Sequence, residues 1–211
     1  MKHYKKTNKS FLNDCGYETK RKPIEYIVIH YTAGANDTAE AVNKYFVNLR
    51  KQGYPNGRYA SAHYIVDESN VFKAVQTRFT AWHCGGEKYK YSTGGKFYGK
   101  CTNYNSIGIE MCKQLNHINY ATLENTIYLV RRLMPKFKID TAHIIRHYDV
   151  TGKHCPAKMI DDTDAYKNNW SLFKKACAVP ANTQIKIDSD GTLYKKATTA
   201  IKWVKIGQFK D

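Results

Sequence analysis

The stretch HIIRHYDVTGKHCP, His143–Pro156, puts His147, Lys153, His154 and Cys155 within nine positions. An apolar, β-branched run leads into His147, and a turn containing Gly152 separates it from Cys155. The run reads as the last core strand, and a soft imidazole and a thiolate delivered by a strand end and its following loop suit Zn2+. A third ligand has to come from elsewhere in the chain. IEYIVIHY, Ile24–Tyr31, is another strand-like run with a histidine, His30, at its end. Neighbouring strands bring such ends together. The reading is therefore one zinc held by His30, His147 and Cys155, with the fourth position open to water. His154 is a second choice as ligand. A structural site would want a fourth protein ligand, and Cys112 or His154 keeps that alternative open at this point.

The rest of the chain supplies a sheet around these two strands. Side chains alternate faces along a strand. Tyr26, Val28 and His30 share one face, and Ile27, Ile29 and Tyr31 the other, so a central strand covered on both sides is expected. Asp37 and Glu40 form a capping-box-like pair ahead of a helix with Val42, Tyr45, Phe46 and Leu49 on one stripe, stopped by Gly53. Ala62–Val66 and Val71–Gln76 read as a hairpin. From Phe79 to Tyr104 periodicity fades into a glycine- and aromatic-rich loop, which suits stacking against sugar or peptide; a mobile surface loop is the plain alternative. Ser106–Cys112 is a strand carrying Glu110 in its middle, beside Gly108. A carboxylate buried there needs a partner, a metal-activated water or a wet cleft. Thr122 is expected to cap a second helix that Pro135 ends, and Asp162 or Thr163 to start a third bearing Tyr166, Trp170, Phe173 and Cys177.

This order predicts an α/β fold: a mixed central sheet flanked by helices, with a short C-terminal β appendage. The expected organisation is an N-terminal arm over 1–22, a catalytic domain over 23–178, and a linker with a short β-rich segment over 179–211. That last piece either packs on the main domain or is one incomplete unit of a wall-binding module.

Among the remaining histidines, His3 and His117 lie in polar surroundings and read as solvated. His143 shares a strand with His147 but sits roughly 13 Å away along it, beyond reach of one metal. His63 and His83 are candidate cleft residues.

Composition narrows the setting. The chain has 211 residues, 42% hydrophobic, enough for a packed core. The basic N-terminus lacks the apolar run of a Sec-type signal, and no stretch approaches a membrane span. The expectation is synthesis in the cytoplasm, followed by action there or at the wall after release by another route. Six cysteines without a CxxC pair point to mostly reduced thiols, with a Cys84–Cys101 bridge as the one pairing considered. The net charge of +16 favours polyanions, such as anionic wall polymer, while no nucleic-acid module is recognisable.

Five motifs taken together carry a resemblance: YIVIHYTA, SAHYIVDESNVFKAVQ, AWHCGG, NYNSIGIEMC and RHYDVTGKHCP, in that order. The chain resembles the zinc-dependent N-acetylmuramoyl-L-alanine amidases of type 2, similar in fold to peptidoglycan-recognition proteins and phage lysozyme-amidases. The resemblance covers Ile24–Phe173. It implies His30, His147 and Cys155 as zinc ligands, the last supplied as aspartate in some members. It implies Glu110 as the catalytic glutamate, Lys153 as the lysine that assists the oxyanion, and Trp82, His83 and Asn105 as cleft positions near substrate. Ala62 stands where some members carry a catalytic tyrosine, a departure that fits the subgroup with a glutamate at the position of Glu110. The implied activity is hydrolysis of the amide between the lactyl group of N-acetylmuramic acid and L-alanine in peptidoglycan, in the setting of a phage or prophage endolysin. Two alternatives are a cytoplasmic amidase that recycles muropeptides and a non-catalytic peptidoglycan-recognition module.

Overall fold

A computed structural model describes residues 22–52, 59–85, 87–160, 165–197 and 199–211. The expected N-terminal arm, the Gly53 helix stop and the Asp162/Thr163 helix start fall almost wholly outside these residues. The architecture is the expected α/β one. Five strands, β1 (Tyr26–Tyr31), β2 (Tyr64–Val66), β3 (Val71–Lys73), β4 (Ser106–Met111) and β5 (Ile144–Arg146), form a mixed sheet. Its order is β3-β2-β4-β1-β5, with only β3 antiparallel to its neighbour. The helices are α1 (Ala39–Gln52), α2 (Tyr120–Phe137), the short α3 (His147–Thr151) and α4 (Asn169–Cys177).

The alternation read from the sequence sets the two faces. Ile27, Ile29, Ile107, Ile109 and Met111 point into the main core, which α2 and α4 cover with Leu123, Ile127, Val130 and Phe173. The opposite face carries two smaller clusters. Ile65 and Phe72 pack against Phe46 of α1, and Tyr26, Val28 and Ile145 pack with Cys84, Cys101 and Val150. Between those clusters the same face presents His30, Gly108 and Glu110.

Helix boundaries depart from the sequence reading because other residues serve as caps. Thr38, not an Asp37/Glu40 box, caps α1: its Oγ1 accepts the Ala41 N–H at 3.2 Å. Asp37 instead accepts the Lys113 N–H at 2.8 Å. Asn119, not Thr122, caps α2, accepting the Thr122 N–H at 2.9 Å. Pro135 lies inside α2 rather than ending it; the helix closes two residues later, with Lys138 in the left-handed region. A proline so near the end forfeits one bond, to the Arg131 carbonyl, and leaves little helix beyond it to disrupt.

Strands β6 (Thr183–Ile187), β7 (Thr192–Ala197) and β8 (Val204–Gln208) form a separate antiparallel sheet that shares the main core through Ile185, Leu193 and Phe209. The Tyr128 hydroxyl donates to the Ile185 carbonyl at 2.7 Å, and the Arg131 guanidinium donates to the carbonyls of Val179, Pro180 and Thr183. Asn169 bonds both the carbonyl and the N–H of Lys210. Phe209 is 2% exposed, so Phe209→Ala should lower unfolding stability by about 3–5 kcal/mol. Denaturant unfolding against a Trp203→Ala control, at a more exposed position, would measure the difference.

Candidate metal centre

The register builds the centre. His30 of β1 lies directly beside Glu110 of β4, and Ile29 beside Arg146 at the end of β5, so the next residue, His147, comes level with His30. His147 opens α3 instead of ending a strand, which corrects the reading of His143–His147 as one extended run. The change of direction is fixed by Asp149, whose carboxylate accepts the Arg146 N–H at 2.8 Å and the Arg146 guanidinium at 2.7 Å. Gly152, at φ 81°, closes α3 by donating its N–H to the Tyr148 carbonyl. The loop then turns back, and the Tyr148 N–H donates to the Cys155 carbonyl at 3.0 Å. That bond returns Cys155 to the start of α3, beside His147.

The outcome is three buried donors facing one another. His30 Nδ1 lies 3.1 Å from His147 Nδ1 and 4.0 Å from Cys155 Sγ, and one donor atom from each residue falls within 4.8 Å of the others. A tetrahedral ion held at roughly 2.0–2.3 Å spaces its N and S donors by about 3.3–3.6 Å, so the trio fits a metal ion. The electrostatics agree. Burial and the neighbouring His147, His83 and Lys153 hold His30 well below the usual histidine range, and burial with Lys153 takes His147 down to about 3. Both rings are therefore neutral, as ligands must be. Burial, reinforced by the Glu110 carboxylate, pushes the Cys155 thiol up to about 12. A metal cation is the charge that would hold it as thiolate. Among the described residues neither Cys112 nor His154 joins the trio: Cys112 is buried against α1, and His154 is exposed. The four-ligand structural alternative therefore has no support in the geometry.

Glu110 stands next to this trio. Its Oε2 is buried with no protein hydrogen-bond partner. Burial raises its pKa to about 7, against the pull of Lys153 and with a contribution from Asp37. Lys153 itself is exposed, yet near enough to act on His30, His147, Glu110 and Cys155 at once.

The other expected cleft residues divide. Trp82 packs with Tyr59 and Tyr104 in a partly exposed aromatic group. His83 bonds His30 directly, Nδ1 to Nε2, at 3.0 Å. His63 is fully buried: Nδ1 accepts the Gly108 N–H and Nε2 donates to the Phe79 carbonyl, so it braces β4 from within. Asn105 is 5% exposed and spends its amide on Glu25 and the Lys100 carbonyl and its oxygen on Thr102. These environments do not match a substrate-facing role for His63 or Asn105. Cys84 and Cys101 are buried free thiols rather than a bridge. The long loop is not loose: Tyr89, Gly95 and Phe97 donate backbone N–H groups to Thr151, Val150 and Asp149 of α3. Sequence reasoning missed Asn103 and Ser106, both buried and both bonded to the His83–Cys84 segment.

The N-acetylmuramoyl-L-alanine amidase family model, Amidase_2, matches residues 20–158. The chain belongs to this family. That match spans the candidate centre, from His30 to Cys155, and stops before the C-terminal sheet. The N-acetylmuramoyl-L-alanine amidase BlyA of Bacillus subtilis (strain 168) is 30% identical over 154 residues, covering 70% of this chain and 40% of BlyA. The N-acetylmuramoyl-L-alanine amidase CwlL of Bacillus licheniformis is 30% identical over 190 residues, covering 83% of this chain and 49% of CwlL. The chain thus spans about half the length of these relatives or less. Two solved structures share the amidase fold. PlyL aligns at TM-score 0.58 and 23% identity, over 74% of this chain and 85% of PlyL. The catalytic domain of XlyA aligns at TM-score 0.56 and 23% identity, over 77% and 90%.

Proposed function

We propose that the protein is a zinc-dependent N-acetylmuramoyl-L-alanine amidase that cleaves the amide between the lactyl group of N-acetylmuramic acid and L-alanine in peptidoglycan. One observation carries the reading: two neutral imidazoles and a thiol converge within 4.8 Å, beside a carboxylate oxygen with no protein partner. Two nitrogens and a sulfur make a borderline-soft donor set that suits Zn2+ rather than Mg2+ or Ca2+. His30, His147 and Cys155 would hold the ion. When bound, zinc supplies Lewis acidity, which polarises an amide carbonyl and makes water a stronger acid.

The chain's own groups do the rest. Glu110, with a pKa near neutrality, takes the proton of the attacking water on Oε2 and returns it to the leaving amine. The Lys153 ammonium, on an exposed loop yet near enough to act on the centre, stabilises the oxyanion as the carbonyl becomes tetrahedral. Trp82 with Tyr59 and Tyr104 offers an aromatic wall for sugar or peptide.

The net charge of +16 favours adhesion to an anionic wall, the setting of an endolysin. No helix among the described residues is long and apolar enough to cross a membrane.

An end-group assay on purified peptidoglycan tests the reading. New N-terminal alanine, no new reducing sugar, and loss of release with a chelator are expected. Reducing ends would make the enzyme a glycosidase. Binding without release would make it a recognition module. Clearing of intact walls, rather than of soluble muropeptides alone, separates lysis from recycling.

A further inference from the structure

We propose that His83 is a positioning residue which, with Ser106, fixes the tautomer of His30 so that Nδ1 is presented to the metal. The inference rests on the zinc reading above and reassigns His83 from the substrate cleft to the support of the metal ligand.

A chain of hydrogen bonds carries the inference, and its direction follows from one fixed end. The Ser106 hydroxyl donates to the Thr102 carbonyl at 2.5 Å, and a carbonyl can only accept. The single Ser106 proton is thereby committed. Ser106 Oγ also lies 3.1 Å from His83 Nε2, so in that contact the serine oxygen accepts and His83 carries its proton on Nε2. In a neutral imidazole the other nitrogen is then an acceptor. His83 Nδ1 lies 3.0 Å from His30 Nε2 and accepts from it. His30 is left with its proton on Nε2 and its lone pair on Nδ1, the atom that faces His147 and Cys155. Metal-bound histidines commonly anchor their second nitrogen on such an outer partner, which sets both tautomer and ring angle.

The geometry around His83 holds the ring in that orientation. Its backbone N–H and that of Cys84 both donate to Asn103 Oδ1, at 3.0 and 2.9 Å. The ring rests on β4 where residue 108 is glycine, and a Cβ there would run into the imidazole. The His30 and His83 planes meet at 90°, an angle compatible with an N–H aimed at the in-plane lone pair of the other ring. Gly108 thus clears the space in which the outer histidine reaches the inner one.

Two measurements on the full chain test this. In long-range 1H–15N spectra of the wild-type protein, His30 and His83 should each carry their proton on Nε2; a His30 proton on Nδ1 in the metal-free protein would overturn the proposal. Chelator competition should show zinc bound 10- to 100-fold more weakly by His83→Ala, with recovery in His83→Gln, whose amide can accept from His30. Ser106→Ala should weaken zinc by a smaller factor and broaden the His30 signal into two tautomers. Cobalt substitution adds a spectrum sensitive to ligand geometry, expected to change in His83→Ala. Wild-type affinity and an unchanged cobalt spectrum in His83→Ala would remove His83 from this role. If wild type itself binds no stoichiometric zinc, it is the zinc reading that fails, whatever the tautomers.

Discussion

Glu110→Gln should lower amide hydrolysis by on the order of 10²-fold or more, about 2.7 kcal/mol of transition-state stabilisation, while leaving zinc content at one per chain. Gln keeps the size of Glu and loses the base. Glu110 sits on β4 beside His30, but its Oε2 has no protein partner, so no bond that holds the fold is broken. The pH dependence gives a second readout. The Glu110 pKa, raised to about 7 by burial, means that the base is protonated below that pH, and activity should rise with pH along a single limb there. A bound zinc cation would move the limb lower. The residual rate of Glu110→Gln should lack the limb. Linkage fixes the sign for stability. A carboxyl with a raised folded pKa contributes stability that is complete below its unfolded value near 4.5 and lost as pH rises through about 7. Metal-free Glu110→Gln should therefore be more stable than wild type at pH 8 and close to it at pH 4. Near-normal turnover in the variant would take Glu110 out of the base role.

The parts of this site legible in the sequence are those governed by strand periodicity and residue type. Alternation along Tyr26–Tyr31 and Ser106–Met111 places His30 and Glu110 on one face, and parallel register makes them neighbours. Cys155 and His147 are legible because a thiol and an imidazole close in sequence at a strand end suit one metal. What the sequence conceals depends on partners far along the chain. Thr38 and Asn119 cap helices because Asp37 is engaged by Lys113 and because the chain enters α2 at Asn119, and neither follows from local pattern. His63 resembles a cleft histidine until β4 and the Phe79 carbonyl claim both its nitrogens. Asn103 is a common residue type in a loop without periodicity, and Ser106 is an ordinary first residue of β4. Their positions follow only once residues 87–103 are stitched to α3. Gly108 stands out in the sequence beside Glu110, but its reason is the His83 ring above it.

Cys155→Ala should abolish stoichiometric zinc and reduce hydrolysis to background. Two histidines would remain, and His147 and His30 alone give an ion two protein ligands, short of the three that catalytic zinc sites use. The thiol also makes a distinct electrostatic contribution. Without a cation it is held protonated, up to about 12, by burial and by Glu110. Zinc binding must therefore release its proton, and affinity in wild type should fall as pH is lowered. Cys155→Ala has no such proton to release. Cys155→Asp, the replacement that the family resemblance suggests, should keep zinc with weaker affinity and partial activity. The coupling to stability is a third readout: an ion that binds only the folded chain raises its stability as free zinc exceeds the dissociation constant, by about 2.7 kcal/mol at a hundredfold excess. Thermal unfolding of wild type should respond to zinc, and that of Cys155→Ala should not. Metal analysis after exhaustive dialysis decides the assignment: one zinc retained in Cys155→Ala would mean that another residue completes the centre, and would leave the sulfur 4.0 Å from His30 Nδ1 as a packing contact.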